Sequence, residues 1–167
     1  PMSSSDNRYV LVYNGEIYNY KEIKKKLEKC GHIFKGLTDT EVVLNSIREW
    51  GVSSLSMFNG MFALALWDDQ EQTLLLARDR YGIKPLYYSL QNNCFRFGSE
   101  QKTITSDIKF DKNLNKKALL EYFTFQNIFT NQTLLKDIYL LPAGHFGFIK
   151  FRQGASSELK IHQYWDY

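Results

Sequence analysis

Asn14 and Gly15 are the residues of this sequence best placed to do chemistry. An apolar run from Tyr9 to Tyr13 stops at them. The Asn14 side chain carries an amide donor, and no side chain shields the Gly15 N–H. Two neighbouring donors aimed at one point can hold a developing oxyanion. Both residues tolerate positive φ, so a sharp turn is expected there. The dipeptide by itself favours a plain hairpin turn, which is what Asn-Gly usually marks. Against it, the residues after Gly15 read as a helix start and not as a second strand. Asp39 is a further candidate, within Leu37-Thr38-Asp39-Thr40-Glu41-Val42. Thr38 and Glu41 have capping-box spacing, which puts Asp39 in the first turn of a helix, where the dipole favours an anion. Simple capping accounts for Asp39 as well.

The surrounding pattern predicts the elements that carry these residues. Tyr9 to Tyr13 reads as a strand buried on both faces. Asn19 and Glu22 have capping-box spacing, and Ile17, Tyr20, Ile23 and Leu27 share one helical face. Lys21, Lys24, Lys25 and Lys29 take the solvated side, and Gly31 ends the helix. His32 to Phe34 is a short strand candidate. A second helix comes after Thr38, with Val42, Val43, Ile47 and Trp50 as its apolar face and Gly51 as its stop. Met61 to Trp67 and Thr73 to Arg78 form a hairpin around Asp68 to Gln72. Leu86 to Tyr88 and Cys94 to Phe97 form another around Gln91-Asn92-Asn93. Asn115 caps a helix through Leu119, Leu120 and Phe123. Ile138 to Leu141 and His145 to Phe151 are strands on either side of Pro142-Ala143-Gly144. Gln153 to Ser157 is a loop, and Ile161 to Trp165 closes the chain. The order predicts an α+β architecture of two antiparallel sheets with helices packed outside them.

Composition narrows the class. The 167 residues suffice for one domain with a proper core. A hydrophobic fraction of 44% and a charged fraction of 23% are those of an ordinary globular protein. The 12 Phe and 11 Tyr suit a sheet-rich core. A net charge of +3 is too small to argue for nucleic acid. No apolar run approaches the roughly 20 residues that span a bilayer. Cys30 and Cys94 have no metal or redox spacing and read as reduced thiols of a cytoplasmic protein. Asn131-Gln132-Thr133 matches the glycosylation pattern by chance, with no signal peptide to support it. His32, His145 and His162 have no spacing for a metal or triad.

Four blocks together resemble the glutaminase domain of glutamine-hydrolysing asparagine synthetases. They are Asn14-Gly15-Glu16-Ile17-Tyr18-Asn19, Thr38-Asp39-Thr40-Glu41-Val42, Ala77-Arg78-Asp79-Arg80-Tyr81-Gly82-Ile83-Lys84-Pro85-Leu86-Tyr87-Tyr88 and Gly98-Ser99-Glu100. They come in the family's order and span most of the first hundred residues. This is the class II amidotransferase group, so the resemblance implies an N-terminal-nucleophile hydrolase fold: a four-layer αββα sandwich, incomplete at the N-terminus. It also implies the chemistry. An N-terminal Cys attacks the side-chain amide of glutamine with its own α-amine as base. Asn14 and Gly15 hold the oxyanion, and Asp39 with Glu16 faces the substrate's α-ammonium. The ammonia passes to a synthetase domain that uses ATP and Mg to form an amide on aspartate. No cofactor is expected in these residues themselves, and a homodimer is a further expected partnership.

The sequence departs from that family at its nucleophile. It begins with Pro1, and neither Cys30 nor Cys94 carries a free α-amine. The family's arginine for the substrate α-carboxylate belongs to an upstream segment. Several dozen upstream residues and the downstream synthetase domain are therefore expected to be missing, and the isolated chain is expected to be inactive. Arg78, Asp79 and Arg80 read as a structural charge network before Pro85. Two alternatives stand: the same glutaminase domain serving another synthetase, such as a sugar-modifying one, and a non-catalytic scaffold of the same fold.

Overall fold

The computed structural model describes residues 1–151 and 158–166. Its elements are β1 (Met2–Ser3), β2 (Tyr9–Ile17), α1 (Tyr20–Lys29), α2 (Asp39–Trp50), a 3-10 segment (Gly51–Met57), β3 (Gly60–Asp68), β4 (Thr73–Arg78), β5 (Tyr87–Gln91), β6 (Cys94–Gly98), α3 (Gln101–Thr105), α4 (Lys116–Phe125), β7 (Tyr139–Leu140), β8 (His145–Lys150) and β9 (Lys160–Gln163). The chain divides into two compact units, Pro1–Lys84 with Ala143–Tyr167, and Pro85–Pro142. Among the described residues no helix is long and apolar enough to cross a membrane.

The larger unit is built on a six-stranded antiparallel sheet in the order β1-β2-β3-β4-β8-β9. β2 and β3 pair over nine residues, from Tyr9 opposite Asp68 to Ile17 opposite Gly60. Alternation sends Leu11, Ile17, Phe62, Leu64, Leu66, Leu75 and Ala77 to one face, where they pack with Ile23 and Leu27 of α1 and Val42, Val43, Leu44 and Ile47 of α2. The expected apolar faces of both helices are thus the ones buried, each such side chain contributing about 1.5–3 kcal/mol. Arg8 closes one end of the sheet with two bonds to Asp68, at 2.9 and 2.7 Å. The buried Asp79 carboxylate accepts backbone N–H groups from Phe62, Tyr81, Ile83 and Lys84. Arg78 donates to the carbonyls of Lys84 and Gly82. Arg78 and Asp79 therefore shape the loop after β4 by gripping its backbone.

The smaller unit carries a three-stranded antiparallel sheet in the order β6-β5-β7. Asn92 and Asn93, with φ of 54° and 55°, make the β5–β6 turn. Ile104, Phe110 and Ile138 form its small core with Tyr87 and Leu135 against it. Asn115 caps α4 as expected, accepting from the Lys117 and Ala118 N–H groups.

Several expectations fail. Val12 is 47% exposed, so β2 is not buried on both faces. His32 to Phe34 is not a strand, because the His32 N–H closes α1 on the Leu27 carbonyl. Neither proposed capping box forms. The Asn19 side chain instead donates to the Met57 carbonyl and accepts from the Asn59 N–H, both at 3.0 Å. Glu41 reaches back to the Lys35 and Gly36 N–H groups. The strands expected on either side of Pro142 to Gly144 do form, as β7 and β8, in different sheets. The loop expected over 153–157 lies outside the described residues.

Candidate active site

The central correction concerns Asn14 and Gly15. The chain does not turn there. β2 runs extended through both residues, with Asn14 opposite Ala63 and Gly15 opposite Phe62. Glycine is needed for close approach, not for φ. A Cβ at Gly15 would lie 2.3 Å from the Met61 carbonyl oxygen and 2.7 Å from Phe62 Cα. Gly60 answers it across the ladder, where a Cβ would lie 2.1 Å from the Glu16 carbonyl oxygen. The two glycines let β3 press against β2 at the end of the strand that carries the candidate residues.

Pairing geometry then fixes where the Gly15 N–H points. The Tyr18 N–H donates to the Asn59 carbonyl at 2.8 Å. In an antiparallel ladder alternate residues face the same partner strand. Asn14, Glu16 and Tyr18 therefore direct their backbone groups at β3, while Tyr13, Gly15 and Ile17 direct theirs outward. β1 pairs only with Leu11 and Val10 on that outer side. Among the described residues no strand pairs with β2 beyond Leu11 there. The Gly15 N–H thus lies on an open sheet edge. Asn14 and Glu16, both exposed, project from one face of the same strand. Asn14 and Gly15 thus lie on a strand edge where a turn was expected.

Asp39 meets this edge from α2. Its Oδ2 accepts from the Tyr13 hydroxyl at 2.8 Å and from the Ile17 N–H at 3.0 Å. Asp39 therefore does more than sit at the start of its own helix; it ties α2 to β2 on both sides of Asn14-Gly15-Glu16. Burial raises the Tyr13 phenol far above its ordinary pKa, with the bond to Asp39 and the charges of Asp39 and Glu16 adding to the effect. Tyr13 is a permanent donor at any physiological pH, and both carboxylates lie close enough to act on it. Tyr18, Asn19 and Asn59 lock the strand ends beside the site.

Sequence reasoning missed Tyr13, the Ile17 N–H and Gly60. Period-two alternation was the available signal for Tyr13: it shares a face with Leu11 and Ile17, the face that meets the helices. The cysteines stand apart in the chain: Cys30 caps the end of α1 and Cys94 opens β6, both exposed. His32 bonds Glu49 at 2.8 Å, His145 bonds the Ala143 carbonyl at 2.7 Å, and His162 stacks on Phe146. Among the described residues no three His, Cys, Asp or Glu side chains gather as a metal site would need.

An open edge with an amide beside it and a fixed carboxylate at hand has the groups to receive a polar substrate that develops negative charge. The profile of the glutamine amidotransferase domain matches residues 1–165. The chain belongs to the glutamine amidotransferase domain family. Asparagine synthetase [glutamine-hydrolyzing] 1 of Bacillus subtilis (strain 168) is 40% identical over 137 residues, covering 80% of this chain and 21% of that protein. Asparagine synthetase [glutamine-hydrolyzing] 2 of the same strain is 34% identical over 170 residues, covering 99% of this chain and 22% of that protein. This amidotransferase domain therefore spans about a fifth of the length of those relatives. Among solved structures, the glutamine phosphoribosylpyrophosphate amidotransferase from B. subtilis superposes with a TM-score of 0.63 at 19% identity, over 95% of this chain and 30% of that one. That likeness carries the fold, which is the N-terminal-nucleophile type with two antiparallel sheets and flanking helices.

Proposed function

We propose that this domain is the glutaminase of an asparagine synthetase-like enzyme, releasing ammonia from glutamine for ATP-dependent amide formation on aspartate. The observation that carries the reading is the Gly15 N–H on an open strand edge beside Asn14, with Asp39 fixed against the same edge by Tyr13 and Ile17. In this reading the tetrahedral oxyanion takes the Gly15 N–H and the Asn14 side-chain amide. Donors held in place before reaction stabilise a transition state without reorganising. Asp39 and Glu16 receive the substrate's α-ammonium, an attraction that strengthens as water leaves. Oδ2 of Asp39 is already occupied by two donors, so Oδ1 is the oxygen offered to the substrate.

The nucleophile is a thiolate with a free α-amine as its base. Cys30 and Cys94 have theirs in peptide bonds, so the parent polypeptide supplies the nucleophile from elsewhere. ATP and Mg belong to the synthetase part. The relatives' names favour aspartate as the amide acceptor over a sugar.

The test is made on the parent polypeptide. Asparagine should form from aspartate, ATP and glutamine with matching glutamate release. Asn14→Ala should lower glutamate turnover by about a hundredfold or more with a smaller change in KM. Ammonia-driven asparagine formation should survive that substitution. Unchanged glutamate release in Asn14→Ala would refute the oxyanion assignment, and amide formation on another acceptor would refute the choice of aspartate.

A further inference from the structure

The helix α4 buries almost nothing. Of its ten residues only Ala118 is buried. Leu120, Phe123, Phe125 and Phe129 are 69%, 74%, 60% and 72% exposed. These side chains nevertheless stand on ordered backbone. Asn115 caps the start of α4, and at its end the Gln126 N–H, on a left-handed residue, returns to the Tyr122 carbonyl at 2.7 Å. Glu121 pins the following loop, accepting from the Phe129 N–H at 2.7 Å and the Thr130 hydroxyl at 3.2 Å. Phe125 and Phe129 meet edge to face at 5.7 Å. A helix this short draws its stability from a buried apolar face, and α4 has none within the unit. Exposed, pre-ordered aromatics are the composition of an interface centre.

We propose that α4 and the loop after it are the docking surface for the synthetase domain that continues this polypeptide. The proposal rests on the proposed function, in which the parent carries that domain. Three observations select this occupant. The relatives are four to five times as long as the stretch this chain matches, so most of such a parent lies outside these residues. Lys116 and Lys117 are exposed on α4, while its acid, Glu121, is spent on the loop. The partner surface is therefore apolar with an acidic rim. A second copy docked through the same patch about a two-fold axis would set basic rim against basic rim. Finally, a hollow of about 320 Å³ opens beside the helix, lined among others by Tyr122, Gln126, Ile128, Thr130 and Gln132. It offers amide and hydroxyl groups to a side chain of the partner next to the apolar ridge.

The experiment uses the full parent polypeptide. Radical footprinting read by mass spectrometry should show Phe123 and Phe129 protected by about tenfold relative to the urea-unfolded chain, as for interface-core residues. That protection should persist through about a hundredfold dilution, since a tethered domain does not dissociate by mass action. Labelling at the unfolded rate overturns the proposal, and protection lost on dilution assigns the face to a second copy and overturns it too. A Phe123→Asp, Phe129→Asp pair should keep glutamate release while amide formed per glutamate falls at least about threefold; a paired yield equal to wild type overturns the proposal. A wild-type parent that releases no glutamate defeats the functional reading instead, and the footprint still reports on α4.

Discussion

The Tyr13 hydroxyl donates to Asp39 Oδ2 at 2.8 Å, and the Ile17 N–H donates to the same oxygen at 3.0 Å. One carboxylate oxygen thus joins a strand to a helix start 22 residues later in sequence, with Asn14, Gly15 and Glu16 between the two donors. Both bonds fall on Oδ2. Under the proposed function this splits the site into a part that stabilises charge during reaction and a part that recognises charge already present.

That split predicts different kinetic signatures in the parent enzyme. Asp39→Asn should raise the KM for glutamine by about tenfold or more while kcat changes less, because an ammonium is present in ground and transition states alike. Tyr13→Phe should act in the same direction but more weakly, on the order of 1 kcal/mol, since it removes one of two donors on Oδ2. Steady-state glutaminase kinetics check both. A fall in kcat with unchanged KM in either variant would contradict the assignment.

Gly60→Ala should be more damaging than a surface glycine substitution elsewhere. Its Cβ would meet the Glu16 carbonyl oxygen at 2.1 Å and Ile17 Cα at 2.9 Å, both backbone atoms that cannot rotate away. A loss of several degrees in melting temperature is expected, consistent with about 1–3 kcal/mol of overpacking. Gly51→Ala, where a Cβ meets nothing within 4 Å, carries only the strain of its φ of 59°. Differential scanning calorimetry on the two variants tests the ranking.

Acid should attack the far end of the sheet. Bonds from Arg8, with further ones from the Glu71 and Gln70 N–H groups, hold the Asp68 carboxyl below its usual range. A depressed carboxylate contributes stability that is present above its unfolded pKa and lost as pH falls through its folded one. Stability should therefore drop below about pH 4. Asp68→Asn should show a lower melting temperature at neutral pH and a shallower loss through that window. Equal acid slopes in the two proteins would show that the pair contributes nothing measurable.

Replacing both Cys30 and Cys94 by serine should leave glutamate release by the parent within about twofold, because neither thiol has the free amine the chemistry requires. Turnover that collapses in the double variant would return one of them to the mechanism. Modification of the wild type with a thiol reagent, followed by peptide mapping, then identifies which thiol carries activity.

Much of this architecture could be read from residue patterns. Hairpins declared themselves through apolar runs broken by Asp68 to Gln72 and by Asn92-Asn93, since local turn chemistry decides those features. Helix faces came from spacing, as at Ile23 and Leu27. Pattern alone did not reveal the nonlocal features. Asn14-Gly15 reads as a turn until β3 is known to lie alongside it with a glycine of its own. Thr38 and Glu41 have the spacing of a cap, yet Glu41 finds better donors at Lys35 and Gly36. The pairing of Tyr13 with Asp39 depends on how α2 lies across the sheet, which no short window contains. The candidate residues stood out individually, and the strand edge that displays them did not.

The Asn19 side chain touches the Met57 carbonyl and the Asn59 N–H, so both helices and the 3-10 segment leave the sheet and rejoin it through one doorway. The chain between is an excursion with its ends stapled together. Lengthening or trimming it leaves the β2–β3 register, and with it Asn14 and Gly15, where they are. It does move Asp39. Under the proposed function, preference for the charged end of a substrate can drift by remodelling the excursion, while the end proposed to stabilise the oxyanion is inherited unchanged.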